Sequence, residues 1–324
     1  MKALEFATFG EPVDVIALAD APTPEPPAGH VRLKLVRSPI HNHDLATIRG
    51  VYGVKPPLPA IGGTEMLGIV DALGDGAGNV TVGQRVAAMT RGAWAEYALV
   101  PATGLVPLPD AISDDAGAQL LAMPLSAVVL FDTLAVKAGD WIVQNAANGA
   151  VGRILMRVAQ DAGVNVINLV RRQSAADELA SYGAKHVVIA SDDAWPQRVR
   201  ELAGSAEIVR AVDSVCDAQS MPLNRLLAPF GEHVIFGALS GRALALDPGA
   251  LIFGQTVVRG FWMSAWMTAA SDADRLQAMQ RVFGLAMQGQ LPLPVASVHP
   301  LADAAAALKA AETPGRPGKV LLAL

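Results

Sequence analysis

The chain has 324 residues, more than one hydrophobic core ordinarily organises, so two domains are expected. Hydrophobic residues make up 52% and charged residues 17%, with a mean hydropathy of +0.35, which excludes a disordered chain and points to a large buried core with an apolar pocket or subunit interface. The net charge of −5 speaks against a nucleic-acid partner, and the single cysteine, Cys216, excludes an intrachain disulfide and a cysteine-rich structural zinc site.

No apolar run reaches the roughly 18–20 residues of a membrane span. The nearest, 116–131, is broken by Pro124. The amino terminus, MKALEFATFGEP, is polar and acidic where a signal peptide is apolar, so no membrane association and a cytoplasmic location are expected. Residues 1–115 read as β-rich and punctuated by glycine. Val31 to Arg37 alternates apolar and charged residues as a half-buried strand does, and 66–73 and 84–89 are further strands. Between them, 38–65 has no period, is rich in Gly and Pro, and holds His41 and His43. Loops of that length usually carry function.

From Ser126 the pattern changes. A helix is expected over 126–136 and a turn over 137–140. Strands are expected at 141–145, 165–171, 186–190, 208–213, 232–237 and 256–262, separated by helices at 151–162, 174–182, 194–203 and 219–228. Such alternation is the signature of a doubly wound parallel sheet, an α/β fold. The last connection, 240–255, reads as a loop. A helix is expected over 272–288, another over 301–312, and a final apolar strand over 319–324 that returns to the first domain. The expected organisation is a discontinuous catalytic domain, 1–120 with 291–324, and a nucleotide-binding domain over 121–290.

The most informative stretch is Trp141 to Gly152, WIVQNAANGAVG: a buried strand, a turn of small residues, and the start of a helix. The first N–H groups of a helix lack internal partners and favour an anion, so Gly149, Ala150, Val151 and Gly152 form a candidate pyrophosphate cradle. About 20 residues past Gly152, where an acidic residue would hold a ribose 2′-hydroxyl, stand Arg171 and Arg172, which suit a 2′-phosphate. The expected cofactor is therefore NADPH.

His41, His43, Asp44 and Glu65 are of metal-ligand types, but no third ligand with sound spacing is evident; in an extended segment both histidines would point to one side. Tyr52, one of three tyrosines, is a candidate proton or hydrogen-bond donor. Phe261, Trp262, Met263 and Trp266 form an aromatic cluster suited to a core, a pocket roof or a dimer interface. Cys216 reads as an inert buried thiol.

Taken together, the segments 40–65, 140–152, 168–172, 236–239, 260–263 and 318–324 resemble the zinc-independent branch of the medium-chain dehydrogenases/reductases, and within it the mitochondrial-type 2-enoyl thioester reductases. The resemblance implies a GroES-like catalytic domain beside a Rossmann domain, no metal, a thioester or other small-molecule substrate, and a homodimer. It implies that Tyr52 is the catalytic tyrosine, that Arg171 and Arg172 recognise the 2′-phosphate, that Phe236, Gly237, Ala238, Leu239, Phe261, Trp262 and Met263 lie beside the nicotinamide, and that Lys319 lies near the cofactor. The chain departs from the pattern at His41 and Thr64, both usually Asn, and at Met123-Pro124, usually Asn-Pro. The expected activity is NADPH-dependent reduction of an activated C=C bond, with Tyr52 as donor. The alternatives are an NADPH:quinone oxidoreductase, a zinc-type alcohol dehydrogenase using His41, His43 and Glu65, and a non-enzymatic NADPH-binding protein.

Overall fold

The computed structural model describes all residues, Met1–Leu324. The chain divides into two units, one made of Met1–Met123, Phe283–Gln288 and Leu293–Leu324, the other of Pro124–Val282 and Gly289–Pro292. In the first 123 residues the elements are β1 (Lys2–Phe6), α1 (Pro12–Val15), β2 (Ala17–Asp20), β3 (His30–Pro39), α2 (Asn42–Ile48), β4 (Ala60–Ile61), β5 (Glu65–Leu73), β6 (Arg85–Met89), β7 (Tyr97–Pro101), β8 (Leu105–Pro107) and α3 (Asp114–Gly117). There follow α4 (Ala122–Leu134), β9 (Trp141–Gln144), α5 (Ala150–Asp161), β10 (Asn165–Val170), α6 (Gln173–Ser181), β11 (His186–Ile189), α7 (Trp195–Ala203), β12 (Ile208–Asp213), α8 (Ser220–Leu226), β13 (Glu232–Ile235), α9 (Pro248–Ile252), β14 (Val257–Gly260), α10 (Met263–Ala269) and α11 (Asp272–Met287). The tail adds β15 (Val295–Pro300), α12 (Ala304–Glu312) and β16 (Lys319–Ala323). No helix is long and apolar enough to cross a membrane.

In the first unit a seven-stranded sheet runs β15-β16-β3-β5-β6-β8, with β7 also paired to β3, beside a small sheet β2-β1-β4. The alternation in β3 puts Val31, Leu33 and Leu35 into the core with Met66, Val86, Trp94 and Val100. The terminal strand β16 is buried at all five positions and pairs antiparallel with β3, Leu322 opposite Ser38. Val320, Leu321 and Leu322, each contributing about 1.5–3 kcal/mol by burial, help hold the end of the chain in a sheet begun near residue 30. The second unit is a six-stranded parallel sheet in the order β11-β10-β9-β12-β13-β14, a doubly wound Rossmann arrangement. The fold is α/β, with a β-rich first unit and a doubly wound second unit, the latter as the alternation of strands and helices implies.

Three expectations need correction. The stretch 38–65 is not free of structure: it holds α2 and β4. α2 has only Leu45 and Ile48 as its buried apolar pair, too short a run to show a helical period. The segment 240–255 contains the short α9, started by Asp247, whose carboxylate accepts the N–H groups of Gly249 and Ala250. The helix expected over 126–136 begins earlier, at Ala122, because Pro124 falls in its first turn, where no N–H is needed, and it stops at Leu134, before Ala135 at φ 49°.

Candidate functional site

In the first unit, β3 runs into α2, and the junction gathers polar side chains. His41 stands at the N-cap of α2, and its backbone N–H donates to Asp44 Oδ2 at 2.9 Å, the reciprocal half of a capping box. The two histidines are thus not on an extended segment. The turn into α2 nevertheless stacks their rings, 4.9 Å apart. Opposite them, Thr64 precedes Glu65, the first residue of β5, and the two glycines before Thr64 pack on the buried Trp94. A Cβ on Gly62 or Gly63 would meet the Trp94 ring at 2.4 or 2.3 Å, so only glycines let the chain pass there. His43 Nε2 lies 2.6 Å from Thr64 Oγ1, and Thr64 donates to Asp44 Oδ1 at 2.7 Å.

His41 and Glu65 are both fully buried, Nε2 2.7 Å from Oε2. The other Glu65 oxygen accepts the backbone N–H groups of Leu121 (2.6 Å) and Ala122 (3.1 Å). Burial pushes the Glu65 carboxyl up to about 7, offset only in part by those two N–H groups and by the charges of His43 and Lys319. Burial also holds His41 well below the ordinary histidine value, with the Lys319 ammonium adding to it. Lys319 is buried at the start of β16, with Nζ 3.5 Å from the Ile40 carbonyl. Tyr52 follows α2. Its N–H and that of Val51 both donate to the Ala46 carbonyl, after Gly50 turns the chain at φ 73°. Its half-buried ring rests against His43, centroids 5.8 Å apart.

These residues do not fit a zinc site. The Nε2 atoms of His41 and His43 are engaged by Glu65 and Thr64, and no three His, Cys, Asp or Glu side chains converge as ligands.

In the second unit the turn 145–149 has the shape of a phosphate cradle. Gly149 is the N-cap of α5, no side chain caps its first turn, and no acidic residue stands there, so the N–H groups of Ala150, Val151 and Gly152 remain for a ligand. A Cβ on Gly152 would meet the Ala147 backbone at 2.6–2.9 Å, which is why α5 approaches the turn so closely. Beneath it Gln144 donates to the Gly152 carbonyl (2.9 Å) and to Asn168 Oδ1 (2.7 Å). Arg171 is exposed and Arg172 half-buried at the end of β10; Arg172 Nε donates to Ser174 Oγ, and neither guanidinium is in an ion pair. This geometry fits a nicotinamide dinucleotide.

Sequence reasoning missed the group that organises the second unit's loops. Asp213, buried at the end of β12, accepts Asn145 Nδ2 (2.6 Å), Ser220 Oγ (2.6 Å), and the N–H groups of Val215 and Cys216 (both 2.9 Å). Burial pushes its carboxyl up, but the neighbouring His233 and the donors from Cys216, Ser220 and Asn145 together outweigh burial and hold it far below the usual range. Its backbone carbonyl accepts Phe236 and Gly237 N–H, so the segment Phe236–Leu239 hangs on β12. A single acid closing an apolar strand, IVRAVD, was the available signal. The aromatic cluster is divided: Phe261 is buried and stacked on Phe236 at 6.0 Å, whereas Trp262 is 42% exposed, Met263 opens α10, and Trp266 is half-buried. Ala238 and Leu239 are exposed. Burial raises the Cys216 thiol to about 11, which agrees with an inert thiol.

The GroES-like domain model of alcohol dehydrogenases matches residues 27–110, and the zinc-binding dehydrogenase model matches residues 150–278. The mitochondrial enoyl-[acyl-carrier-protein] reductase of Bos taurus is 31% identical over 331 residues, covering 100% of this chain and 89% of that protein; the Homo sapiens protein is 30% identical with the same coverage. Among solved structures, a putative NADPH:quinone reductase from Bacillus thuringiensis has a TM-score of 0.92 at 28% identity, covering 100% of this chain and 98% of that one. The Escherichia coli quinone oxidoreductase complexed with NADPH has a TM-score of 0.89 at 25% identity, covering 100% of both chains.

Proposed function

The chain belongs to the medium-chain dehydrogenase/reductase family, among its nicotinamide-dependent enoyl and quinone reductases, and on that premise we propose that it reduces an activated carbon–carbon double bond, in a 2-enoyl thioester or an enone, with NADPH. The observation that carries this reading is Tyr52, a phenol fixed through its backbone at the end of α2, in a unit whose polar residues do not form a metal site. NADPH, when bound, supplies a hydride for the β-carbon of the double bond. Negative charge then grows on the carbonyl oxygen, and a positioned hydrogen-bond donor must stabilise it. Tyr52 is that donor or delivers the proton to the α-carbon.

The α5 N-terminus, with Gly149 to Gly152, takes the pyrophosphate. Arg171 and Arg172 take the 2′-phosphate, for which their planar forks are suited. The nicotinamide end is assigned to Phe236–Leu239 and Phe261–Met263, and Lys319 near the cofactor stays part of the proposal. A quinone is the second reading, favoured by the names of the full-length structural relatives. A homodimer is also proposed: β14 is one of the two edge strands of the parallel sheet, and Val257 at its start and Ile252 and Phe253 just before it are 52%, 60% and 86% exposed. Sedimentation at the monomer mass of 33.6 kDa would overturn the dimer.

The deciding experiment is NADPH oxidation against a panel of trans-2-enoyl thioesters, enones and quinones. The reading expects thioesters or enones to be the best acceptors and Tyr52→Phe to cut turnover about a hundredfold while NADPH affinity holds. Unchanged turnover in Tyr52→Phe would sink the role given to the phenol. A double change, Arg171→Ala with Arg172→Ala, is expected to weaken NADPH far more than NADH, and a wild type that already prefers NADH would sink the arginine argument.

A further inference from the structure

The reduction described above makes no use of His43, Thr64 and Asp44, yet their hydrogen bonds fix which nitrogen of His43 carries its proton. Thr64 Oγ1 has one hydrogen and donates it to Asp44 Oδ1 at 2.7 Å. Toward His43 the same oxygen must accept, so His43 Nε2, 2.6 Å away, bears an N–H. Asp44 Oδ1 stands 3.4 Å from the same nitrogen and reinforces that choice. Asp44 is itself fixed, since Oδ2 accepts the His41 backbone N–H. In the neutral ring, Nδ1 is then the lone-pair nitrogen, open to take up a proton and hand it on. The ring is bounded by His41, stacked at 4.9 Å, and by Tyr52, at 5.8 Å and tilted by 32°. His41 is wholly buried, whereas the His43 side chain keeps 21% exposure and Tyr52 is half-buried, so water reaches the His43–Tyr52 pair.

We propose that His43 is the proton relay of Tyr52, a proposal that rests on the reductase reading above. The β-carbon receives the hydride supplied by NADPH, and the π pair of the double bond moves toward the carbonyl as an enolate. The Tyr52 O–H bond breaks, its proton forming the new C–H bond at the α-carbon. The phenolate takes the proton of the His43 imidazolium Nδ1–H, directly or through one water. His43 is left neutral, its Nε2–H still on Thr64, and solvent reprotonates Nδ1. One NADPH and one proton are consumed for each double bond reduced. Thr64 and Asp44 are positioning residues, holding Nε2 protonated so that Nδ1 is the exchanging site. The charged and titratable groups facing His43 are Asp44 on its own helix, His41, Tyr52, and Glu65 on β5; Lys319 on β16 acts on His41 and Glu65.

The test uses His43→Gln, which keeps an N–H for Thr64 but cannot pass a proton through a ring. Expected are a fall in kcat of about tenfold or more, an unchanged KM for NADPH, and a pH dependence of kcat that differs from that of the wild type. Imidazole is expected to rescue His43→Ala in part. A second readout needs no turnover: nitrogen NMR of labelled histidine is expected to show Nε2 protonated and Nδ1 bare in the neutral wild-type ring, and a tautomer mixture in Thr64→Val. A wild-type ring protonated at Nδ1 overturns the tautomer argument. If Tyr52→Phe is crippled while His43→Gln keeps wild-type kcat and pH profile, the relay falls and Tyr52 stands. If no acceptor is reduced, or Tyr52→Phe is unimpaired, the reductase reading falls and takes the relay with it.

Discussion

Glu65 and Asp213 are both wholly buried, one in each unit, yet their surroundings push them in opposite directions. Glu65 faces two backbone N–H groups and the fully buried His41, and burial prevails, raising its carboxyl to about 7. Asp213 has Asn145, Ser220, Val215 and Cys216 as donors, and together with the neighbouring His233 its surroundings overcome burial. His233 Nε2 lies 3.4 Å away without hydrogen-bond alignment, so the close donors carry the geometry. The count and charge of the donors, not depth, decide the protonation of a buried acid. The consequence is functional. Asp213 is a fixed anion on which two loops hang, whereas Glu65 and His41 form a pair whose protons are not fixed.

The largest expected effect comes from removing the fixed anion. Asp213→Ala leaves Asn145, Ser220 and two N–H groups buried without their acceptor, and each such group costs about 1–3 kcal/mol. A loss of at least about 3 kcal/mol in urea unfolding is expected, with NADPH affinity falling as the loops at 214–216 and 236–239 loosen. Unfolding within about 1 kcal/mol of wild type would refute the anchoring role. Next is Gly152→Ala, whose Cβ would meet the Ala147 carbonyl oxygen at 2.6 Å. Pushing α5 off the turn is expected to cost about 1–3 kcal/mol and to weaken dinucleotide binding at least tenfold in a fluorescence titration.

The flexible pair answers to pH. Glu65, raised from an ordinary 4.5 to about 7, contributes stability that is present below 4.5 and lost as pH rises through about 7. His41, lowered from 6.5, contributes in the opposite sense, its stability present above 6.5 and lost as pH falls. Between 4.5 and 6.5 the two act in opposite senses, Glu65 losing stability and His41 gaining it as pH rises. Above that window only Glu65 acts, so wild-type stability is expected to decline as pH rises through about 7. Glu65→Gln is expected to abolish that decline while staying within about 1 kcal/mol of wild type at the acid end of the window. A decline that persists in Glu65→Gln assigns it to another group.

The parallel sheet was readable because its strands are short apolar runs bounded by turns, and the helices from α5 to α7 have length enough for a period to show, unlike the five-residue α9. The order of the strands was not readable: β12 lies beside β9 although two strands intervene in the chain. β15 escaped notice because its residues are half-buried and it becomes a strand only against β16. Tyr52, the glycine turn and the arginines stand out by residue type against a dull background. Asp213, Asn145 and Thr64 do not, since their significance lies in hydrogen bonds between residues that the chain separates, 68 positions apart for Asn145 and Asp213.

Cys216 gives the mildest and most local probe of the anchored region. It stands at φ 55°, in the left-handed region, because its N–H must reach Asp213, and its thiol donates to the Gly237 carbonyl at 3.1 Å. Burial raises the thiol to about 11, with the charges of Asp213 and then Asp217 adding to it. The thiolate is the reactive form, so a thiol reagent at mildly alkaline pH is expected to label the native protein far more slowly than the unfolded chain. Cys216→Ser keeps a donor for Gly237 and is expected to cost less than about 1 kcal/mol. In Asp213→Asn the nearby charge is gone and the turn is held less firmly, so labelling is expected to quicken. Glu65→Gln, in the other unit, is expected to leave the labelling rate where it was. Equal acceleration by both variants would mean that the thiol reports general loosening, and that Asp213 has no special hold on this turn.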